Sequence, residues 1–189
     1  MSGSGHVLIV IDMQNGFLNQ HSQHVVPMVA ELIDAWYAAG QDVVFTRYRN
    51  YPGSPFERLI NWSQLHDAPQ VDIVPALADY AARARAVLDK HVYTMFTPDG
   101  TALINDAGWS DLVFCGIATE SCVLKSAVDA FEQGLTPWLV TDACASDSGP
   151  AAHQAGLLVA SRFIGSNQLI DIAAAKARFV NGPSGGLAL

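Results

Sequence analysis

Asp12, Lys90 and Cys122 are residue types that together could run nucleophilic chemistry on a carbonyl. A cysteine attacks once its proton is taken, and forms a thioester. An aspartate can take that proton and return it to a leaving amine. A lysine can hold the carboxylate in place and stabilise a thiolate. Cys122 stands in Gly116-Ile117-Ala118-Thr119-Glu120-Ser121-Cys122-Val123, where the apolar run Leu112-Val113-Phe114-Cys115 gives way to a helical pattern beginning near Ser121. A helix start carries partial positive charge and unpaired N–H groups, which favour a thiolate and could receive an oxyanion. Taken alone, the cysteine could equally be a small buried hydrophobe.

The elements around these residues decide where they stand. His6-Val7-Leu8-Ile9-Val10-Ile11 is a continuous β-branched run, as expected of a parallel strand buried on both faces. Asp12 follows it, at the carboxyl end where open α/β sheets place their ligands. Residues 25–39 read as a helix with Val25, Val29, Leu32, Ile33 and Trp36 on one face and Gly40 as its stop. Further strands are expected at 42–46, 86–90, 112–116, 137–141 and, shorter, from Leu169. Further helices are expected at 56–65, 101–107, 121–133 and 150–162. Residues 67–80, broken by Pro69 and Pro75, read as irregular. This alternation predicts an α/β fold, three layers with a mainly parallel sheet of five to six strands. Asp12, Lys90 and Cys122 then fall at strand ends, or one turn beyond, on one rim. No Gly-x-Gly-x-x-Gly follows the first strand and no Walker-type loop is present, which disfavours a nucleotide site.

The chain has 189 residues, the size of a single domain (1–189) with a sizeable core. Residues 1–5 and 181–189 read as flexible. A formal net charge of -8 without a basic cluster argues against nucleic acid and anionic membrane as partners. No apolar run is long enough to cross a bilayer, and no secretory signal pattern is present. The three cysteines at irregular spacing form neither a disulfide framework nor a zinc pattern, so a reducing cytoplasm is the expected compartment.

The motifs at these positions resemble the isochorismatase-like cysteine hydrolases, which include nicotinamidases and N-carbamoylsarcosine amidohydrolases. The resemblance rests on Asp12-Met13-Gln14 with Phe17, on Lys90 with Tyr93 and Phe96, and on Gly116-Ile117-Ala118-Thr119 with Cys122-Val123. It rests also on Thr141-Asp142-Ala143-Cys144-Ala145-Ser146 with His153, and it spans roughly His6 to Leu169. It implies a catalytic triad of Asp12, Lys90 and Cys122. It implies a cis peptide between Ile117 and Ala118, and an oxyanion hole made by the N–H groups of Ala118 and Cys122. It further implies a homo-oligomer, a dimer or a tetramer. Nicotinamidases carry Asp-x-His and further histidines after the second strand, where they bind a metal. Here that place reads Thr46-Arg47-Tyr48-Arg49-Asn50-Tyr51, His66 is isolated, and His21 and His24 lie in another loop. The expectation is therefore no metal and no cofactor. True isochorismatases cleave a vinyl ether and do not depend on a cysteine at the nucleophile position.

The resulting expectation is metal-independent hydrolysis of a C–N bond in a small amide, carbamoyl or ureido substrate, through a thioester on Cys122. Vinyl-ether hydrolysis and a non-catalytic scaffold of the same fold are the alternatives. Phe17 and Phe96, in loops at the rim, are expected to wall the pocket, with Trp62 either there or in the core. Arg47, Arg49 and Arg58 are three of only ten basic residues and gather in one region. They could bind a substrate carboxylate, Arg47 first, or pair with acidic neighbours. Cys115 and Cys144 read as structural, and His153 as a helix-face or interface residue.

Overall fold

β1 (His6–Ile11) alternates its side chains into two cores, Leu8 and Val10 to one and Val7, Ile9 and Ile11 to the other. A strand flanked in this way has no polar face, which is why its sequence is apolar throughout. The computed structural model describes residues 5–181. The expected flexible ends fall mainly outside the described residues. Gly5 and Asn181, counted with those ends, are hydrogen-bonded: the Gly5 carbonyl accepts from the Ser110 and Asp111 amides, and the Asn181 amide donates to the Lys176 carbonyl.

Around β1 lie β2 (Val43–Tyr48), β3 (Ala86–Lys90), β4 (Asp111–Ile117), β5 (Thr136–Ala145) and β6 (Leu169–Ile170), in a six-stranded sheet ordered β3-β2-β1-β4-β5-β6. Every pairing is parallel. One face is covered by α1 (Val25–Ala38), α3 (Pro75–Ala82) and α7 (Ile172–Ala175). The other is covered by α4 (Pro98–Ala107), α5 (Leu124–Glu132) and α6 (Pro150–Phe163). The short α2 (Pro55–Ile60) lies in the connection between β2 and β3. The chain leaves β1 toward β2 on one side, and β4 takes the other side. The crevice between β1 and β4 is thus the switch point of the sheet, where doubly wound folds bind ligands.

Several boundaries differ from expectation for local reasons. Pro75 does not break residues 67–80 but begins α3, in a first-turn position where its missing N–H costs nothing. The helix expected over 56–65 stops at Ile60, because Asn61 adopts a left-handed conformation. β5 runs on to Ala145 past a register shift against β4 between Phe114 and Gly116. The helix expected from Ser121 begins earlier, as a π-helical turn over Thr119–Val123 that leads into α5.

Candidate active site

Asp12 follows β1 directly and has a left-handed backbone with φ 48. Its surroundings fix it from three sides. Its amide donates to Thr46 Oγ1 at 3.2 Å, Thr46 Oγ1 donates to Oδ1 at 2.6 Å, and Lys90 Nζ donates to Oδ2 at 2.7 Å. Lys90 ends β3, one strand beyond β2, and reaches across the end of β2 to Asp12. Its ammonium also donates to the carbonyls of Val92 and Tyr93, each at 3.1 Å, and lies 3.4 Å from Cys122 Sγ. Asp12 is 0%, Lys90 1% and Cys122 5% exposed. A buried carboxylate and ammonium survive only when paired and fully hydrogen-bonded, and here both conditions hold.

The nucleophile's turn is held from beneath. Ser126 Oγ donates to the Cys122 carbonyl at 2.7 Å and accepts the Met95 amide at 3.0 Å. Gly116, in β4, has φ +113, and a Cβ there would stand 2.1 Å from the Ile11 carbonyl oxygen, so β1 and β4 close on each other only because it is glycine. The peptide between Ile117 and Ala118 is cis.

Burial pushes the Cys122 thiol well above its ordinary value, the Asp12 carboxylate adds to that, and Lys90 opposes it. The resting group is therefore a thiol at neutral pH. The favourable helix start does not outweigh desolvation, contrary to the sequence expectation of a thiolate-stabilising site. Burial works against the Lys90 ammonium, but Asp12 and Cys122 outweigh it and hold its pKa raised.

Above Cys122 opens a cavity of about 240 Å³. One wall is aromatic, formed by Phe17, Tyr48, Phe56, Trp62 and Tyr93, with Phe17 and Trp62 stacked at 6.0 Å between ring centroids. The remaining lining is Ile60, the polar residues Glu120, Ser121, Asp147 and Ser148, and Ala118 and Cys122. Phe17 and Trp62 both line this cavity, and Trp62 is the residue that the sequence left open between pocket and core. Phe96 does not: it packs against the core beneath α4 and α5. Arg47 does not either. Its guanidinium meets Asp89 with Nε–Oδ1 at 2.6 Å and Nη2–Oδ2 at 3.0 Å, away from the cavity. Arg49 lies 3.8 Å from the same carboxylate, and Arg58 Nε donates to the Gly53 carbonyl.

Thr46, Tyr48, Phe56, Tyr93, Glu120 and Asp147 were not singled out as site residues from the sequence. Strand periodicity contained part of the signal. Successive residues of a strand face opposite sides, so Thr46 and Tyr48 share the site's side and Arg47 cannot. Gln14 was named in the sequence as part of a motif but given no role. It is buried, donates from Nε2 to the carbonyls of Tyr48 and Val71, and accepts the Tyr48 amide, so it ties the β1 loop to the end of β2.

In the segment at the end of β2, residues 46–51, where the sequence showed no histidines, the polar side chains of Thr46 and Asn50 are committed to neighbours. Thr46 is engaged with Asp12, and Asn50 Oδ1 accepts from Tyr48, Tyr51 and Ser54. Among the described residues no three His, Cys, Asp or Glu side chains gather around a common point.

A buried thiol, ammonium and carboxylate at the switch point of a parallel sheet define a doubly wound α/β protein of hydrolase type. The chain belongs to the isochorismatase family of hydrolases: the isochorismatase domain model matches residues 6–168. It is 25% identical to nicotinamidase 3 of Arabidopsis thaliana over 80% of this chain and 78% of that protein. It is 28% identical to isochorismatase domain-containing protein 2B of Mus musculus, but over only 39% of this chain and 35% of the mouse protein. Among solved structures, a cysteine hydrolase from Pseudomonas syringae superposes with a TM-score of 0.79 at 19% identity, covering 95% of both chains. The nicotinamidase of Bacillus subtilis superposes with a TM-score of 0.78 at 22% identity, over 89% of this chain and 100% of that one. At these identities the superpositions speak to the fold. Among the described residues no helix is long and apolar enough to cross a membrane.

Proposed function

We propose that the protein hydrolyses a C–N bond of a small amide, carbamoyl or ureido compound through a thioester on Cys122. The observation that carries this reading is the position of Lys90 Nζ, within hydrogen-bonding reach of both Asp12 Oδ2 and Cys122 Sγ at the base of the cavity. The Cys122 proton passes to Asp12 as Sγ bonds to the substrate carbonyl carbon. The oxyanion is received by the N–H groups of Ala118 and Cys122, the pair that the family resemblance points to. The C–N bond then breaks, and Asp12 returns the proton to the departing nitrogen. Water gives a proton to Asp12 and attacks the thioester, the C–S bond breaks, and the thiol is restored. Lys90 remains an ammonium throughout, holding Asp12 in place and offsetting negative charge on sulfur.

The high resting position of the thiol suits this scheme, because a proton that leaves for Asp12 only during attack keeps the buried site from holding two anions at rest. Nicotinamidase 3 among the relatives supports the amide class. Vinyl-ether cleavage fits less well, since isochorismate carries two carboxylates and the cavity's charged wall is Glu120 and Asp147.

The test is a screen of small amides and ureido acids with ammonia release as readout, then Cys122→Ala on any substrate found. The variant should keep its far-UV spectrum and lose turnover by about a thousandfold or more, as removal of a covalent nucleophile does. Wild-type turnover by that variant would overturn the mechanism.

A further inference from the structure

We propose that the cavity selects substrates carrying an ammonium or other cationic group beyond the scissile amide, held between the aromatic wall and the carboxylates of Glu120 and Asp147. The proposal rests on the amide-hydrolase reading of the same cavity and names its substrate class.

The charge of the lining is one-sided. Among the described residues Glu120 and Asp147 are its charged members, and no Arg, Lys or His lines it. The arginines of the neighbouring region are committed elsewhere, to Asp89 or to a backbone carbonyl. Lys90 lies beneath the cavity with its donors spent on Asp12, two carbonyls and Cys122. A substrate carboxylate would therefore meet two like charges and no cation in the lining.

Glu120 is half supplied. Its Oε1 accepts from Ser146 Oγ at 2.7 Å, while Oε2 is buried without a hydrogen-bond partner among the described residues. His153, close enough to feel Glu120, is pushed below its usual value by burial, so it does not neutralise that charge at pH 7. Burial pushes the Asp147 carboxyl up, its own backbone opposes this, and Glu120 adds to the rise. Two carboxylates that repel one another across a pocket are relieved by a cation between them. The aromatic part of the lining suits the same guest. Phe17, Phe56 and Trp62 bring aromatic rings to the lining, a residue type that attracts ammonium groups, while the Tyr48 ring already lies 5.5 Å from the Lys90 ammonium.

Three matched amides separate the possibilities: para-(aminomethyl)benzamide as cation, para-ethylbenzamide as neutral isostere and para-(carboxymethyl)benzamide as anion. Each is titrated by calorimetry into Cys122→Ala protein, which reads binding without turnover. The cation should bind about tenfold more tightly than the neutral isostere, with the carboxylates supplying most of the preference and the rings the remainder, and the anion more weakly than either. Adding Glu120→Gln and Asp147→Asn together should bring cation and neutral compound within about threefold of one another, while the aromatic contacts remain. Equal affinity for the neutral compound, tighter binding of the anion, or no binding of the cation would overturn the proposal. So would a preference that survives the double substitution. The single Cys122→Ala protein already decides the first three outcomes if the carboxylate variants fail to fold. Ammonia release from the same compounds with the native enzyme is scored separately, so a failed amide-hydrolase reading is distinguishable from a failed charge preference.

Discussion

Lys90 is the residue whose loss is most informative. It is buried with Asp12, and their contact at 2.7 Å is the principal compensation for a charge at 0% exposure. Lys90→Met keeps the stem and removes the ammonium, leaving the carboxylate buried and unpaired. The expected cost is about 3–5 kcal/mol, measured by urea denaturation, together with loss of turnover. Thr46→Val is milder. It deletes a hydroxyl that donates to Asp12 Oδ1 and accepts the Asp12 amide, at a cost of about 1–3 kcal/mol by the same measurement. If Thr46 orients Asp12 for proton transfer, kcat falls and the pH profile shifts. If it only supports the fold, stability falls and the pH profile stays in place. At this scale the sequence was readable through placement rather than residue type: Asp12, Lys90 and Cys122 each have a bland reading alone, but their strand-end positions put them on one rim, and there they meet. It was unreadable where the role depends on direction. Arg47 and Asp89 stand opposite each other in the β2–β3 register and pair on the side away from the cavity. Phe96 carries the same apolar label as Phe17 and points into the core.

Among the elements, the π-helical turn Thr119–Val123 and α6 form the junction that sets the nucleophile. Thr119 is buried, and its hydroxyl lies 2.8 Å from His153 Nδ1 on α6. Gly156, one turn further along α6, passes so close that a Cβ would stand 2.8 Å from Glu120 Cα. That neighbour is backbone and cannot rotate away. Gly156→Ala should therefore push the turn and α6 apart, costing about 1–3 kcal/mol in thermal or urea unfolding. The larger effect should fall on kcat, because Cys122 moves with the turn while Asp12 and Lys90 stay. An alanine variant with wild-type kcat would show that the turn is not held by α6. The junction was invisible in sequence, because close approach between distant segments leaves no periodic trace. Pro75 was misread for a related reason: the residue type signals a boundary but not whether a helix ends or begins there.

For the molecule as a whole, the alternation of strands and helices made the parallel α/β sheet legible, since short apolar runs such as those of β1 and β4, separated by helical patterns, fit parallel strands buried on both faces. The order β3-β2-β1-β4-β5-β6 was not, because no local pattern states which side of β1 the fourth strand takes. One consequence of this double burial is titratable. Cys115 on one face of the sheet and Cys122 and Cys144 on the other are all buried, and burial raises each thiol, Cys144 to about 12. In the unfolded chain a thiol loses its proton near its ordinary value of 9.0, while in the folded protein it keeps it. The unfolded state then binds fewer protons, so stability is fully present below pH 9 and falls as pH rises toward the folded value. For Cys144 the window runs from 9.0 to about 12. Each thiol contributes a slope of up to about 1.4 kcal/mol per pH unit, and three together make alkaline unfolding steep. Urea midpoints at pH 7.5, 9 and 10.5 should therefore drop progressively. Cys144→Ala should be weaker at pH 7.5, from its small cavity, yet lose less on going to pH 10.5. Parallel pH curves for variant and native protein would mean that Cys144 is accessible enough to ionise in the folded state.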